Sequence, residues 1–172
     1  IISGGGVLYS EAEQEISEFA KKHNIPVTAT VMGIGCMNKD DPYYISAIGC
    51  LGEGSSNNLA TDTDLALAVG TKLGDFTTGS WTNFENENFQ LVSINTSRFD
   101  TTKHRATPVV SDAKIGLIEL SKVLGDWKAP NDWYKKAVEE RKTWDSYVAK
   151  ESGPTNQELP SYAHAVGAVY RN

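Results

Sequence analysis

Gly4-Gly5-Gly6 follows Ile1-Ile2-Ser3 without a break. Glycines at the end of an apolar strand let the backbone approach a phosphate, and a helix start behind them favours the negative charge. The full dinucleotide fingerprint is G-x-G-x-x-G. Gly4 and Gly6 fill its first two positions, but Tyr9 stands at the third. Thr30-Val31-Met32 stands where an acidic ribose ligand belongs. Three readings stay open: a working NAD site, a structural turn, and a vestigial or altered nucleotide site.

A second segment, Gly70-Thr71-Lys72 through Thr77-Thr78-Gly79-Ser80-Trp81, follows an apolar strand. It therefore falls at the carboxyl edge of a sheet, where open α/β folds bind ligands. Its hydroxyls, lysine, aspartate and tryptophan suit a polar ligand. The plain alternative is a surface loop whose Trp81 packs against a neighbour. Gly33, Gly35, Gly49 and Gly52 flank Cys36 and Cys50, but no local base activates either thiol. His23, His104 and His164 show no metal-ligand spacing and are expected at helix ends or on the surface. Asp40-Asp41 is expected as a solvated turn.

These residues need a frame of strands and helices. Ser10 and Glu13 spell a capping box for a first helix with Ile16, Phe19 and Ala20 inward. Lys21, Lys22 and His23 suit its carboxyl end, and Asn24 can close it in a left-handed conformation. Pro26 opens a strand over Val27 to Val31. Met32 to Gly54 is expected to be irregular. Ser55 or Ser56 can cap a short helix through Thr61. Leu65 to Val69, Leu91 to Ile94 and Pro108 to Val110 read as strands, and Asp75 to Phe84 as a loop. Asp112 caps a helix from Ala113 to Leu124, with Ile115, Ile118, Leu120 and Val123 inward and Gly125 as its stop. The fold expected is α/β: a Rossmann-like (DHS-like) parallel sheet flanked by helices on both faces, with a C-terminal helical linker. That tail is expected to lie outside the Rossmann-type unit. It comprises a charged helix from Asp132 to Lys150, bearing Trp133, Ala137, Trp144 and Val148, and a second from Ser161 to Arg171.

Composition narrows the function classes. The chain has 172 residues, 40% hydrophobic and 22% charged, with a net charge of −6. The acidic balance argues against nucleic acid and anionic membranes as partners. No apolar run reaches membrane-span length, and no signal peptide is visible. Two cysteines outside any CxxC pair argue against a disulfide framework or zinc ribbon and for a reduced, cytoplasmic setting. The chain starts inside a strand without Met and stops within a helix, which reads as a piece of a longer protein.

The order of motifs resembles the central domain of thiamine-diphosphate-dependent enzymes such as acetolactate synthase. The motifs are the triple glycine, Met32-Gly33-x-Gly35, Pro42 to Gly52, Val69-Gly70-Thr71-Lys72 and Ser93-Ile94-Asn95. The resemblance spans residues 1–125. The Asp75 to Trp81 segment, with Phe99-Asp100 before Lys103-His104, is similar to the ring-opening trihydroxycyclohexanedione hydrolases of myo-inositol catabolism, a branch of that family. Leu159 to Ala163 resembles the entry to the following cofactor-binding domain, which makes residues 126–172 a linker helix and the start of that domain.

The resemblance implies that thiamine diphosphate and Mg²⁺ are bound by flanking N- and C-terminal domains outside this chain. Gly125-Asp126-Trp127 lacks the second glycine of the family's metal motif and its partner Asn. No catalytic or metal-binding residue is therefore expected here, and no bound cofactor. Family members that hold FAD or ADP use positions matching Gly4, Gly5, Gly6, Gly70, Thr71, Lys72 and Asp112. Lys72 and Asn95 replace the usual Arg and Asp, which weighs against tight FAD. Thr77, Thr78, Ser80 and Trp81 are expected to border the substrate site, and the full-length parent to be a homo-oligomer. The alternative is a stand-alone nucleotide-binding module for FAD, ADP or NAD. A small hydrolase or deacetylase would need a placed histidine or a zinc ribbon, and the cysteine count denies the ribbon.

Overall fold

The computed structural model describes residues 1–172. Its frame is six strands: β1 (Ile2–Ser3), β2 (Val27–Ala29), β3 (Tyr44–Ala47), β4 (Leu65–Val69), β5 (Gln90–Asn95) and β6 (Thr107–Val110). They lie in the order β3-β2-β1-β4-β5-β6, and every pairing is parallel. Ile2 sits between Thr28 and Ala68, at the centre. The chain winds from β1 out to β3, then restarts on the other side of β1. This is the Rossmann-like α/β sheet expected, with its switch point between β1 and β4.

Period-two alternation sends side chains to two cores. On one face Val27, Ala29, Val69 and Ile94 pack under α1 (Gly5–Tyr9), α2 (Glu13–His23) and α6 (Ala113–Leu124). On the other, Ile2, Ala66, Ala68 and Leu91 pack under Ala60 of α3 (Gly54–Asp62) and under Leu73, Phe84 and Ala106 from connecting segments. Those connections carry only four-residue helices, α4 (Asp75–Thr78) and α5 (Arg98–Thr101).

Several local expectations are corrected. The box at Ser10 and Glu13 does not form. A turn with Glu11 at φ 50° divides the helix, and α2 starts without a side-chain cap. The Ser10 hydroxyl donates to Asp112 Oδ2 at 2.6 Å, a charge-assisted bond. Asp112 does cap α6, accepting from the Lys114 and Ile115 amides. The inward face of α6 is Ala113, Gly116 and Leu117, while Ile115 and Val123 face solvent. Both stripes are apolar, so periodicity leaves the choice open. Gly116 decides it, since a Cβ there would lie 2.7 Å from Ile94 Cγ2.

β2 ends at Ala29, and Val31–Gly33 forms a 3-10 turn. The supposedly irregular stretch contains β3. Ser55 and Ser56 cap nothing: they lie buried in the first turn of α3 with unpartnered hydroxyls, and Glu53 holds the cap position. His23 is a helix-end residue but fully buried. It bridges Trp127 O at 2.7 Å and Ser121 Oγ at 2.9 Å, tying α2 to the end of α6. Asp41 is held as well, accepting from Ser17 Oγ and the Tyr43 amide. Asn24 takes the expected left-handed cap.

The helix expected outside the unit packs onto it. α7 (Asn131–Glu151) lies against α3 and β3, with Ala137 fully buried between Ile45 and Leu59. Arg141 donates to the carbonyls of Lys39, Asp41 and Tyr44 at 2.6–3.0 Å. α8 (Tyr162–Arg171) starts at a Ser161–His164 capping box, and its Val166, Val169 and Tyr170 are exposed.

The Ser10–Asp112 bond joins the glycine turn's helix to α6. Ser10→Ala and Asp112→Asn are each expected to cost about 1 kcal/mol in urea unfolding at pH 7. The Ser10 hydroxyl, with the Ile115 and Lys114 amides, holds the Asp112 carboxyl below its usual range. Its stabilisation is therefore complete above the unfolded aspartate value, about pH 3.9. It is lost as pH falls through the lower folded value. The gap between native and Asp112→Asn proteins should accordingly narrow towards pH 2.

Candidate functional site

A cleft of about 520 Å³ opens at the carboxyl ends of β1, β2, β4 and β5. It straddles the switch point, where two adjacent connections diverge and leave a crevice. Its floor is Gly5, Gly6 and Gly70, and its walls come from the segments at Thr30–Met32 and Thr71–Thr77. Lys72 and Asp75 are the charged lining residues, and no histidine, cysteine, glutamate or arginine lines it. Tyr9, Met32, Leu51 and Phe76 give the rim an exposed apolar character.

The glycine turn is packed rather than open. The Gly4 amide donates to Val69 O at 2.8 Å and the Gly6 amide to Gly70 O at 2.9 Å. A Cβ on Gly6 would lie 2.6 Å from Gly70 Cα, and one on Gly70 equally close to Gly6 Cα. Gly70 also has φ +62°, which side chains rarely adopt. The two strand ends on either side of the switch point are thus in backbone contact. The helix behind the turn, α1, spans five residues, so little dipole stands behind it.

The structure brings Gly5, Gly6, Gly70, Thr71, Lys72 and Thr77 together in the cleft. Gly4 lies beneath them in the turn. Thr78 is buried behind the wall, where its Oγ1 accepts from the Trp81 amide. Ser80 is exposed at φ 52°. Trp81 points away from the cleft onto Phe84, Phe89 and His104. Asp112 caps α6 and does not line the cleft. Asn95 lines it, but its carboxamide is engaged: Nδ2 donates to Thr71 O and Oδ1 accepts from the Ser97 amide.

Sequence reasoning missed Asn57, whose carboxamide accepts from the Gly49 amide and donates to Gly49 O at 2.9 and 3.1 Å. Gly49 in turn backs onto Phe76 and Thr77, so Asn57 braces the cleft wall. No signal in the chain marks it. Met32 and Phe76 were findable, since they follow the expected strands β2 and β4, whereas Leu51 was not, since β3 before it has too little pattern. Cys36 is buried and Cys50 exposed, both as free thiols, and burial pushes the Cys36 thiol up. No group of three or more His, Cys, Asp or Glu residues could hold a metal ion. No helix is long and apolar enough to cross a membrane.

The backbone contact predicts a sharp asymmetry between neighbouring residues. Gly70→Ala and Gly6→Ala should each lose more than about 2 kcal/mol in urea unfolding, combining forced contact with, at Gly70, a left-handed backbone. Lys72→Ala, on the same loop but exposed, should stay within about 0.5 kcal/mol of the native chain.

Comparison with known proteins adds to this geometry. A family described as "Thiamine pyrophosphate enzyme, central domain" matches residues 1–120. Three relatives are each named 3D-(3,5/4)-trihydroxycyclohexane-1,2-dione hydrolase. The Clostridium perfringens protein is 35% identical over 144 residues, covering 84% of this chain and 22% of the relative. The Clostridium botulinum protein is 44% identical over 124 residues, 72% of this chain and 19% of the relative. The Geobacillus thermodenitrificans protein is 32% identical over 181 aligned residues, 98% of this chain and 28% of the relative. The chain thus spans about a fifth to a quarter of the length of these relatives. A parallel Rossmann-like sheet with a cleft at its switch point, and a family match over most of its length, lead to one assignment: the chain belongs to the thiamine pyrophosphate enzymes, as their central domain.

Proposed function

We propose that this domain is the non-catalytic central part of a cytoplasmic, thiamine-diphosphate- and Mg²⁺-dependent hydrolase. The parent opens the ring of trihydroxycyclohexanedione by C–C hydrolysis in myo-inositol catabolism. The observation that carries the reading is the cleft itself: a glycine-floored, apolar-rimmed crevice at the switch point, with one lysine, one aspartate and no acid–base pair. The relatives' names, hydrolases of a trihydroxycyclohexanedione, support the substrate and the hydrolysis.

Beside the phosphates, Mg²⁺ on thiamine diphosphate takes one or two carboxylates and further oxygen ligands, and the residues here do not fit it: the Asn95 carboxamide that lines the cleft is already engaged within the chain. Asp75 is the single carboxylate of the cleft. We assign the cofactor, its metal and the reacting groups to flanking domains of the same polypeptide, in a homo-oligomer. The cofactor supplies an electron sink for bond cleavage when bound. This domain walls the substrate site through Lys72 and Thr77, with Thr78, Ser80 and Trp81 supporting that wall from behind. Of the positions that match nucleotide-binding relatives, Gly4, Gly6, Gly70 and Asp112 are turned to structural use, with their amides or carboxylate already bonded within the chain.

Purified alone with thiamine diphosphate and Mg²⁺, the chain should show no turnover of the cyclic diketone; measurable hydrolysis overturns the reading. In the full-length protein, Trp81→Ala should lower kcat, and unchanged kinetics rejects its role in supporting the wall. Calorimetric titration of the chain with FAD, ADP and NAD should give no saturable heat. Tight binding of any of them would instead support a free-standing nucleotide module.

A further inference from the structure

Five non-glycine residues with positive φ cluster in two connections: Leu73, Ser80 and Trp81 after β4, and His104 and Arg105 after β5. Side chains make this backbone costly, and it persists only where surrounding contacts over-determine it. The two connections meet at one point. The His104 ring stacks on Trp81, with centroids 4.1 Å apart and planes 19° from parallel. His104 Nε2 lies 3.0 Å from Leu73 O. A carbonyl only accepts, so Nε2 carries the proton and donates. Trp81 continues the contact into Phe84 and Phe89.

The need for such an anchor follows from the fold. Where a doubly wound sheet usually places a full helix, the connection after β4 has only the four residues of α4. It lacks a long helical ladder to hold its own shape. Yet this connection supplies Thr71, Lys72, Asp75, Phe76 and Thr77 to the cleft. On its inner side it is tied by the Cys50 amide to Phe76 O at 2.8 Å and by the Asn57 clasp on Gly49. On its outer side the side-chain tie to Leu73 from the neighbouring connection is His104, beside the local Thr71 Oγ1 that accepts from the Leu73 amide.

We infer that His104, outside the cleft, is a positioning residue for the cleft wall: its stack on Trp81 and its bond to Leu73 O hold the 71–81 connection in its left-handed turns. The role is independent of which molecule occupies the cleft. His104 is itself exposed, so replacing it leaves the core packing intact.

The test is site-resolved amide hydrogen exchange on the 172-residue chain. His104→Phe keeps a ring on Trp81 and removes the donor. His104→Asn removes the ring but keeps a donor and tolerates the left-handed backbone. His104→Ala removes both. In His104→Ala, exchange of the Thr77, Thr78 and Cys50 amides should rise about fivefold, while that of Ala68 and Val92 stays unchanged. His104→Phe and His104→Asn should each restore part of the protection. Unchanged exchange at Thr77, Thr78 and Cys50 overturns the inference. So does a rise equal to that in β4 and β5, which would report general destabilisation rather than positioning.

Discussion

Gly6 and Gly70 touch through their backbones, and the rest of the molecule is arranged around that contact. It joins the ends of β1 and β4, the two strands between which the winding reverses. A side chain at either position would force the strand ends apart, so the floor of the crevice is fixed by the absence of two Cβ atoms. The Gly6 amide bond to Gly70 O then sets the direction of α1. α1 leads to the turn at Ser10, which Asp112 ties to α6. One close approach thereby aligns the switch point, the first helices and the helix on the far half of the sheet.

The same contact changes what the glycine-rich turn can do. A turn that serves a diphosphate must leave amides free to face it. Here the Gly4 and Gly6 amides are spent on Val69 and Gly70 carbonyls. Asn95, at the neighbouring strand end, spends its carboxamide on Thr71 and Ser97. The Rossmann-like frame is retained while its ligand-facing groups are turned inward to brace loops. A wall of defined shape is what remains.

Much of the frame could be read from the chain. The apolar runs at β1, β4 and β5 and the Gly125 stop are dictated locally, and the structure keeps them. β3 escaped because four residues between Pro42-Tyr43 and Gly49 carry too little pattern to separate from a loop. The inward face of α6 escaped because the helix has two apolar stripes and only the close fit of Gly116 on Ile94 chooses between them. The box at Ser10 failed because Ser10 closes α1 and Glu11 turns left-handed before α2 begins. In the cleft, residues next to strand ends were legible, since topology places them. Asn57, and the turn of Trp81 away from the cleft, were not, because both depend on partners brought near only by folding, Gly49 and His104.

Arg141 carries a consequence of a different kind. Its guanidinium grips carbonyls of Lys39, Asp41 and Tyr44, some hundred positions earlier, with separations of 97 to 102 residues. β3 is the strand at one border of the sheet, and such borders invite foreign strands to pair. On a ribosome the border strand emerges long before the helix that clasps its entry. The nascent polypeptide must therefore pass through an interval with that border unguarded, a window in which chaperone engagement or self-association competes with completion of the fold.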